Sequence, residues 1–500
     1  MATRPERRPA SPPSGADITG PQVRPVPRVG KVWRDRAQWV VRGVGPPTVP
    51  IGLPGHDDEV TQRHARMVID LALRIGEAML STGASAADVV TNVLRVMTSY
   101  DIRQAHIDIT FTSIEVSINR GVDEDPLTVM RVVSVRSPDY SRLQRVQDLV
   151  SRIVEPDGLE DRMLVQEARQ ELGKVLAQPH PYRRWVVTAG FALLAAAVTA
   201  LFGAQPGMWL VAAISATVVD RVTRALARFG VAAFFNQAIG AAIPTTIAVL
   251  LSWAMDQGIN VAGVQSPSLV VISGIIVLLA GLTVVGAAED ALDGYYVTAG
   301  ARGLEVLILT AGIATGISVV LAIAGAFEVP MEVVPTVRVD GSAVTNTFAA
   351  VLVGIGFAMS TYTGFRGIVV AAAAAGTGWV AYELMALLGF GNAMTVGVAA
   401  AVVGAFGYAA HRTFRVPELA ITTAGIVSLL PGLAVYRALF WMMEDSAGLV
   451  STAMVEGFRA VSIALGLAAG VSIGGFAARH AFGLDRAAVR ARRRARGSFS

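Results

Sequence analysis

Five charged residues, Glu289, Asp290, Asp293, Arg302 and Glu305, stand close together in an otherwise small and apolar stretch, GAAEDALDGYYVTAGARGLEVLILTAGIATG. A carboxyl in such surroundings can take up and release a proton near neutral pH. A carboxylate beside a guanidinium can also hold a solute that carries both charges, and charges in apolar sequence persist mainly where they work or pair. Glu305, about one turn into its helix, is the best single candidate for a proton carrier, with Thr298 between it and the acidic group. A plainer reading has equal weight: Asp290 and Arg302 pair to close a loop, while Glu305 snorkels to an interface.

A second polar group is Asn236 and Gln237, followed by Pro244, Thr245 and Thr246. A proline inside a helix frees a carbonyl, and exposed backbone beside a cavity can coordinate a solute. A proline kink whose threonines bond back to their own helix explains the same residues. Glu383 is a weaker candidate of the same kind. The G-V-S-I-G run at Gly470–Gly474 matches a hydrolase nucleophile pattern, but it lacks a preceding strand and a suitably placed histidine, so helix packing is the better account. With no cysteine and six scattered histidines, no metal site and no cofactor are expected.

The elements that carry these residues follow from composition. The chain has 500 residues, 53% hydrophobic and 16% charged, with a mean hydropathy of +0.53. A soluble chain would carry about a quarter charged residues. Charge concentrates before residue 180, and from Trp185 onward apolar runs of membrane-spanning length succeed one another. The fold class is a polytopic α-helical membrane protein, preceded by a small cytoplasmic α/β domain.

Residues 1–55 read as a disordered Pro/Arg-rich tail. Residues 56–180 read as the α/β domain. RHARMVIDLALRIGEAMLSTGAS and ASAADVVTNVLRVMTSY have helical spacing, while HIDITFTSIEVSI alternates as a strand does. DPLTVMRVVSVRS reads as a further strand, and two helices follow, the last ending before Pro179. Glu77, Asp88, Asp108 and Glu115 show no metal, phosphate or triad spacing, and STGAS reads as a helix-to-helix turn. Regulation, gating or assembly suits this domain better than catalysis.

About ten spans are expected near 184–203, 206–220, 229–253, 268–287, 301–325, 343–361, 366–388, 392–410, 417–437 and 453–478. They divide into a first half at 181–326 and a second at 327–480, with a basic tail at 481–500. Placing the N-terminus inside puts Arg221, Arg224, Arg228, Arg302, Arg366, Arg412 and Arg415 on the cytoplasmic side, which agrees with the positive-inside rule. Both termini are then cytoplasmic, and the basic tails face anionic lipid rather than nucleic acid.

The word GIIVLLAGLTV at Gly274 returns as GIVSLLPGLAV at Gly425, 151 residues later, with seven of eleven positions identical. GLEVLILTAGIATGISV from Gly303 returns as GFRAVSIALGLAAGVSI from Gly457, 154 residues later. Gly312 and Gly316 meet Gly466 and Gly470, which reads as helix-contact glycines kept in register. Gly281 meets Gly432. The repeat unit is five spans, and an odd number inverts the second copy. Two inverted five-span repeats are the architecture of many secondary transporters, with a site near the midplane. In the second copy Arg459 takes the place of Glu305, with Glu456 one turn before it. That exchange suits a zwitterion held between halves, and equally a structural salt bridge.

The stretch from Gly286, with Asp290, Gly294, Thr298, Arg302 and Glu305, resembles the threonine/serine exporter family of bacterial inner-membrane proteins. RIGEAMLSTGASAADVVTNV resembles the start of that family's cytoplasmic domain, and LLPGLAVYRAL the signature of its second half-domain. The resemblance covers roughly residues 60 to 480. It implies a cytoplasmic domain with ten spans in two half-domains. It also implies export of L-threonine, L-serine and other small amino acids or peptides, by an antiporter driven by proton-motive force in the cell (inner) membrane. No enzyme activity is implied, and self-association is left open. The chain departs from the pattern at Ala280, where the second copy has Pro431, so the two halves are not expected to break their helices alike. The competing readings are a membrane-tethered, hydrolase-like enzyme acting through residues 56–180, and a passive channel.

Overall fold

The computed structural model describes residues 62–102, 104–119, 125–133, 138–155, 162–259, 263–264, 266–279, 282–329, 342–443 and 447–497. The tail expected over residues 1–55 lies outside the described residues.

The first helices are α1 (Gln62–Ser81) and α2 (Ala86–Ser99). Between them Gly83, at φ +103°, takes a left-handed turn that a side chain would resist. Ser85 then caps α2 by accepting from the Asp88 backbone N–H. Strands β1 (Ala105–Thr110), β2 (Ser113–Ile118) and β3 (Leu127–Val132) form an antiparallel sheet in that order. The stretch HIDITFTSIEVSI is thus two strands: the chain reverses at Phe111–Thr112 and pairs Ala105 with Ile118 and Thr110 with Ser113. Ile114 and Val116 are fully buried. A Cβ on Gly76 would lie only 3.0 Å from Ile114 Cδ1, so this glycine lets α1 lie close on β2. Helices α3 (Tyr140–Val154), capped by Asp139, and α4 (Val165–Ala177) complete the block. Asp70 of α1 ties it together through ion pairs to Arg169 at 2.7 Å and Arg131 at 3.6 Å.

The rest is helical: α5 (Arg184–Leu201), α6 (Pro206–Arg228), α7 (Ala233–Asp256), α8 (Ser268–Leu279), α9 (Leu282–Leu292) and α10 (Tyr296–Ala326), then α11 (Ala343–Ser360), α12 (Phe365–Leu387), α13 (Asn392–Phe414), α14 (Glu418–Ile426), α15 (Gly432–Met443) and α16 (Ala447–Gly497). The apolar segments expected to span fall largely on helix; the one at 417–437 is broken at Leu430–Pro431, and residues 280–281 of the one at 268–287 lie outside the described residues. Among the described residues, seven helices are long and apolar enough to cross a membrane, or eight if α14 and α15 form one bent span. Helix α6 is longer than the short segment expected there, because it runs on through Asp220, Arg221, Arg224 and Arg228, which dilute its hydropathy.

The break between α14 and α15 bends the chain by 51° beside Pro431. In the first half α8 is described to Leu279 and α9 from Leu282; Ala280 and Gly281, on which the expected difference between the halves turns, lie outside the described residues.

Packing of the helices depends on small residues at matched places. A Cβ on Gly312 would lie 2.5 Å from the Phe234 carbonyl oxygen, and one on Gly466 2.6 Å from that of Ala393. Gly316 and Gly470 press in the same way on the carbonyls of Ala238 and Gly397. Gly274 faces the Pro244 ring at 2.6 Å, and Gly425 faces Val403 Cγ1 at 2.5 Å. Gly190 of α5 and Gly356 of α11 meet reciprocally, each leaving a Cβ position 2.8 Å from the other's carbonyl oxygen.

Candidate functional site

Asp290, near the end of α9, has no exposed surface, and Arg302, two turns into α10, is 6% exposed. Gly294, at φ +88°, makes the turn that brings the two helices back to back. The Asp290 carboxylate pairs with Arg302 Nη1 at 2.9 Å. Gly286 leaves room for this guanidinium, since a Cβ there would lie 2.9 Å from Nη1. Both charges also reach into the α/β block. Asp290 Oδ1 accepts from the Ala86 N–H at 3.0 Å, at the first turn of α2, and Arg302 Nη2 donates to the Ala84 carbonyl at 3.2 Å. Thr298, also buried, donates to the Ile109 carbonyl of β1 at 3.0 Å. The STGAS turn is therefore held by a buried ion pair from the helices. Breaking such a pair costs about 3–5 kcal/mol, because the surviving charge stays buried.

The same block also touches the second half. The Tyr140 N–H donates to the Thr361 carbonyl at the end of α11, at 3.1 Å, and its hydroxyl meets Thr423 Oγ1 of α14 at 3.3 Å. The Tyr182 hydroxyl, just before α5, donates to the Met359 carbonyl at 2.9 Å.

Beside the clamp lies a group of carboxyls: Asp88 of α2, Glu289 and Asp293 around the end of α9, and Glu418 at the start of α14. Asp88 and Asp293 keep accessible surface. Desolvation, then repulsion from Asp88, Asp293, Asp290 and Glu418, pushes Glu289 up to about 8. Asp293 rises to about 6, through desolvation and then Asp88 and Asp290. Desolvation raises Asp88 as well, against the pull of Arg479, Ser85 and His411. Within this carboxyl group Glu289 is pushed towards its protonated form. Glu305 is half-buried further along α10 and forms no ion pair with a described residue.

In the second turn of α7, the Gln237 amide donates to the Leu278 carbonyl in the last turn of α8, at 3.4 Å. Asn236 Oδ1 and Gln237 Oε1 are buried and accept no hydrogen bond from a described residue. The Thr245 hydroxyl bonds back to Ala241 at 2.8 Å, so it serves its own helix. At the far end of α16, Glu456 stands 3.5 Å from Arg459 and 4.0 Å from Arg437 of α15. Glu383 of α12 accepts from the Trp379 indole at 2.8 Å.

Residues 70–324 match the family model described as "Putative threonine/serine exporter", and residues 346–477 match that described as "Threonine/Serine exporter, ThrE". The chain belongs to the threonine/serine exporter family. The "Probable threonine/serine exporter" of Mycobacterium tuberculosis (strain ATCC 25618 / H37Rv) is 36% identical to it over 426 residues, covering 83% of this chain and 77% of the relative. The "Threonine/serine exporter" of Corynebacterium glutamicum is 31% identical over 443 residues, covering 87% and 86%. No solved structure matches the chain. Names and apolar helices together indicate a multi-pass membrane transporter of amino acids rather than an enzyme.

In this exporter-family chain the expected site residues fall into three places. Glu289, Asp290, Asp293, Thr298 and Arg302 gather at the α/β block. Asn236 and Gln237 lie beside the last turn of α8, and Glu456 and Arg459 lie in the early turns of α16. Thr245 and Glu305 join none of these clusters. Sequence reasoning found the clamp's charges but not their main-chain partners at Ala84, Ala86 and Ile109, for which side-chain identity gives no signal.

Proposed function

We propose that this chain exports small amino acids, L-threonine and L-serine first, out of the cytoplasm through the inner membrane by proton antiport. On this reading it has ten spans, formed from two inverted five-span repeats at 181–326 and 327–480. The α/β domain at 56–180 and both termini are cytoplasmic, with the basic tails against anionic lipid. The observation that carries it is the recurrence of contacts: Gly312 and Gly316 lie on α7 carbonyls as Gly466 and Gly470 lie on α13 carbonyls, and α5 crosses α11 reciprocally. Inverted halves that meet this way can rock against each other around a central site. Asn236, Gln237 and the last turn of α8 supply acceptors there for a substrate ammonium. The carboxyl cluster beside the α/β block marks the inner mouth and supplies a proton-holding group, Glu289. The block, hydrogen-bonded to both halves, serves as the inner gate.

The test is threonine efflux from proteoliposomes with and without an imposed pH gradient, comparing wild type with Glu305→Gln, Glu289→Gln and Asp290→Asn. Gradient-driven efflux is expected in wild type and loss of coupling in at least one carboxyl variant. Flux that ignores the gradient in every protein would refute the coupled exporter and leave a passive channel.

A further inference from the structure

The chain from Gln178 to Arg183 joins α4 of the α/β block to α5, and it is strapped on two sides. On the block side stands Asp139, the buried N-cap of α3. Its Oδ1 accepts from the Arg142 N–H at 3.0 Å and from the Ser141 hydroxyl at 2.8 Å. Its Oδ2 pairs with His180 Nδ1 at 2.8 Å, with Arg142 Nε further off at 3.8 Å. Gln178 accepts from Arg145 of α3 at 2.7 Å.

On the other side lies the turn between α11 and α12. The His180 ring stacks on Tyr362 with centroids 4.1 Å apart, and Tyr182 lies against the same ring at 5.6 Å. Arg184 Nη1 donates to the Tyr362 hydroxyl at 2.9 Å. Tyr362 is buried and holds φ +55°. A left-handed backbone at an aromatic residue persists only where its surroundings enforce it. Here the strap's own side chains supply part of that enforcement.

Histidine is the residue type whose charge changes across the pH range of a cytoplasm, and His180 is the histidine of this strap. Its side chain is 45% exposed, whereas that of Asp139 is 4% exposed. A proton from solution therefore reaches the ring and arrives beside a carboxylate that water screens little. As imidazolium, His180 makes an ion pair with Asp139; as imidazole it keeps the hydrogen bond without that attraction. The other titratable or charged groups around it are Arg142 and Arg145 of α3, Arg184 of α5, and Tyr182 and Tyr362. The arginines oppose a proton on the ring, and Asp139, in direct contact, favours it.

We infer that His180 is a cytoplasmic pH sensor, whose protonation tightens the strap between the α/β block and the α11–α12 turn and holds the inner gate shut. Loss of the proton loosens the stack, and Tyr362 is free to leave its left-handed conformation. The inference rests on the exporter reading and adds regulation to it: an antiporter that admits protons is restrained when they accumulate inside.

The experiment measures threonine efflux from proteoliposomes at a constant pH difference across the membrane. The pH on the side of the α/β block is lowered from about 7.5 to about 6. In parallel, hydrogen exchange is followed at the Tyr140 amide, which bonds to the Thr361 carbonyl at 3.1 Å, and corrected for its intrinsic pH dependence. Wild-type exchange should slow about five- to tenfold over this range, the scale separating a charged from a neutral hydrogen bond, and efflux should fall with it. His180→Gln keeps an amide donor at an exposed position, and so the fold; it should lose the response at Tyr140 and flatten the efflux profile. His180→Arg, charged throughout, should keep exchange and efflux low at every pH. A wild-type response in folded His180→Gln, or free pH-dependent exchange in His180→Arg, would overturn the sensor. A response at Tyr140 that follows His180 in vesicles without any threonine efflux would uphold the strap and overturn the exporter reading.

Discussion

Asp290 has a double task, as counter-ion to Arg302 and as an acceptor for the first turn of α2. Asp290→Asn should weaken docking of the α/β block by about 3–5 kcal/mol, and Arg302→Gln by a similar amount. The double variant should cost clearly less than the two together, because neither charge is then left alone. Hydrogen exchange at the Ala86 amide measures each arm. Glu289 makes a pH prediction. Its carboxyl rises from 4.5 to about 8 in the folded protein, so the folded state holds the proton more tightly than the unfolded chain does. The associated stability is complete below about pH 4.5 and is lost as pH rises through about 8. Asp88, Asp290, Asp293 and Glu418 face Glu289, with Arg302, Arg479 and His411 nearby. Thermal midpoints of wild type should therefore fall, relative to Glu289→Gln, between pH 5.5 and pH 8.5. Equal slopes in the two proteins would show that Glu289 is not the titrating group. The letters of this site were legible because charges are conspicuous in apolar sequence. Their partners were not, since Ala84, Ala86 and Ile109 contribute only main-chain atoms.

At the scale of elements, glycine spacing decides how closely helices approach. Gly316→Ala and Gly470→Ala would each drive a methyl into a facing carbonyl, whereas Gly303→Ala meets nothing within 4 Å. The first two should destabilise by about 1–3 kcal/mol and the third should be neutral or slightly stabilising. Thermal unfolding in detergent ranks them. Helix positions were readable from apolar runs, and the order of elements in the α/β block from periodicity. The hairpin was missed although its signal was present: inward residues are odd-numbered at Ile107 and Ile109, then even-numbered at Ile114, Val116 and Ile118. That change of parity across Phe111–Thr112 is the mark of a two-residue reversal.

For the whole molecule, topology is the open test. The chain contains no cysteine, so single cysteines can be introduced without background. Gln257→Cys, in the turn after α7, should react with an impermeant maleimide in intact cells. Phe229→Cys, in the turn before α7, should react only after permeabilisation. Labelling of both from outside would refute the arrangement of the first three spans. Helix α16 then acquires a role that neither end alone suggests. It is one uninterrupted helix of 51 residues, carrying Glu456 near one end and Arg479 some 35 Å further along. A stiff rod of that length works as a lever: a tilt of about 5° about one point moves the other by about 3 Å. On the exporter reading proposed above, such a tilt would couple the contacts at one end of the helix to those at the other.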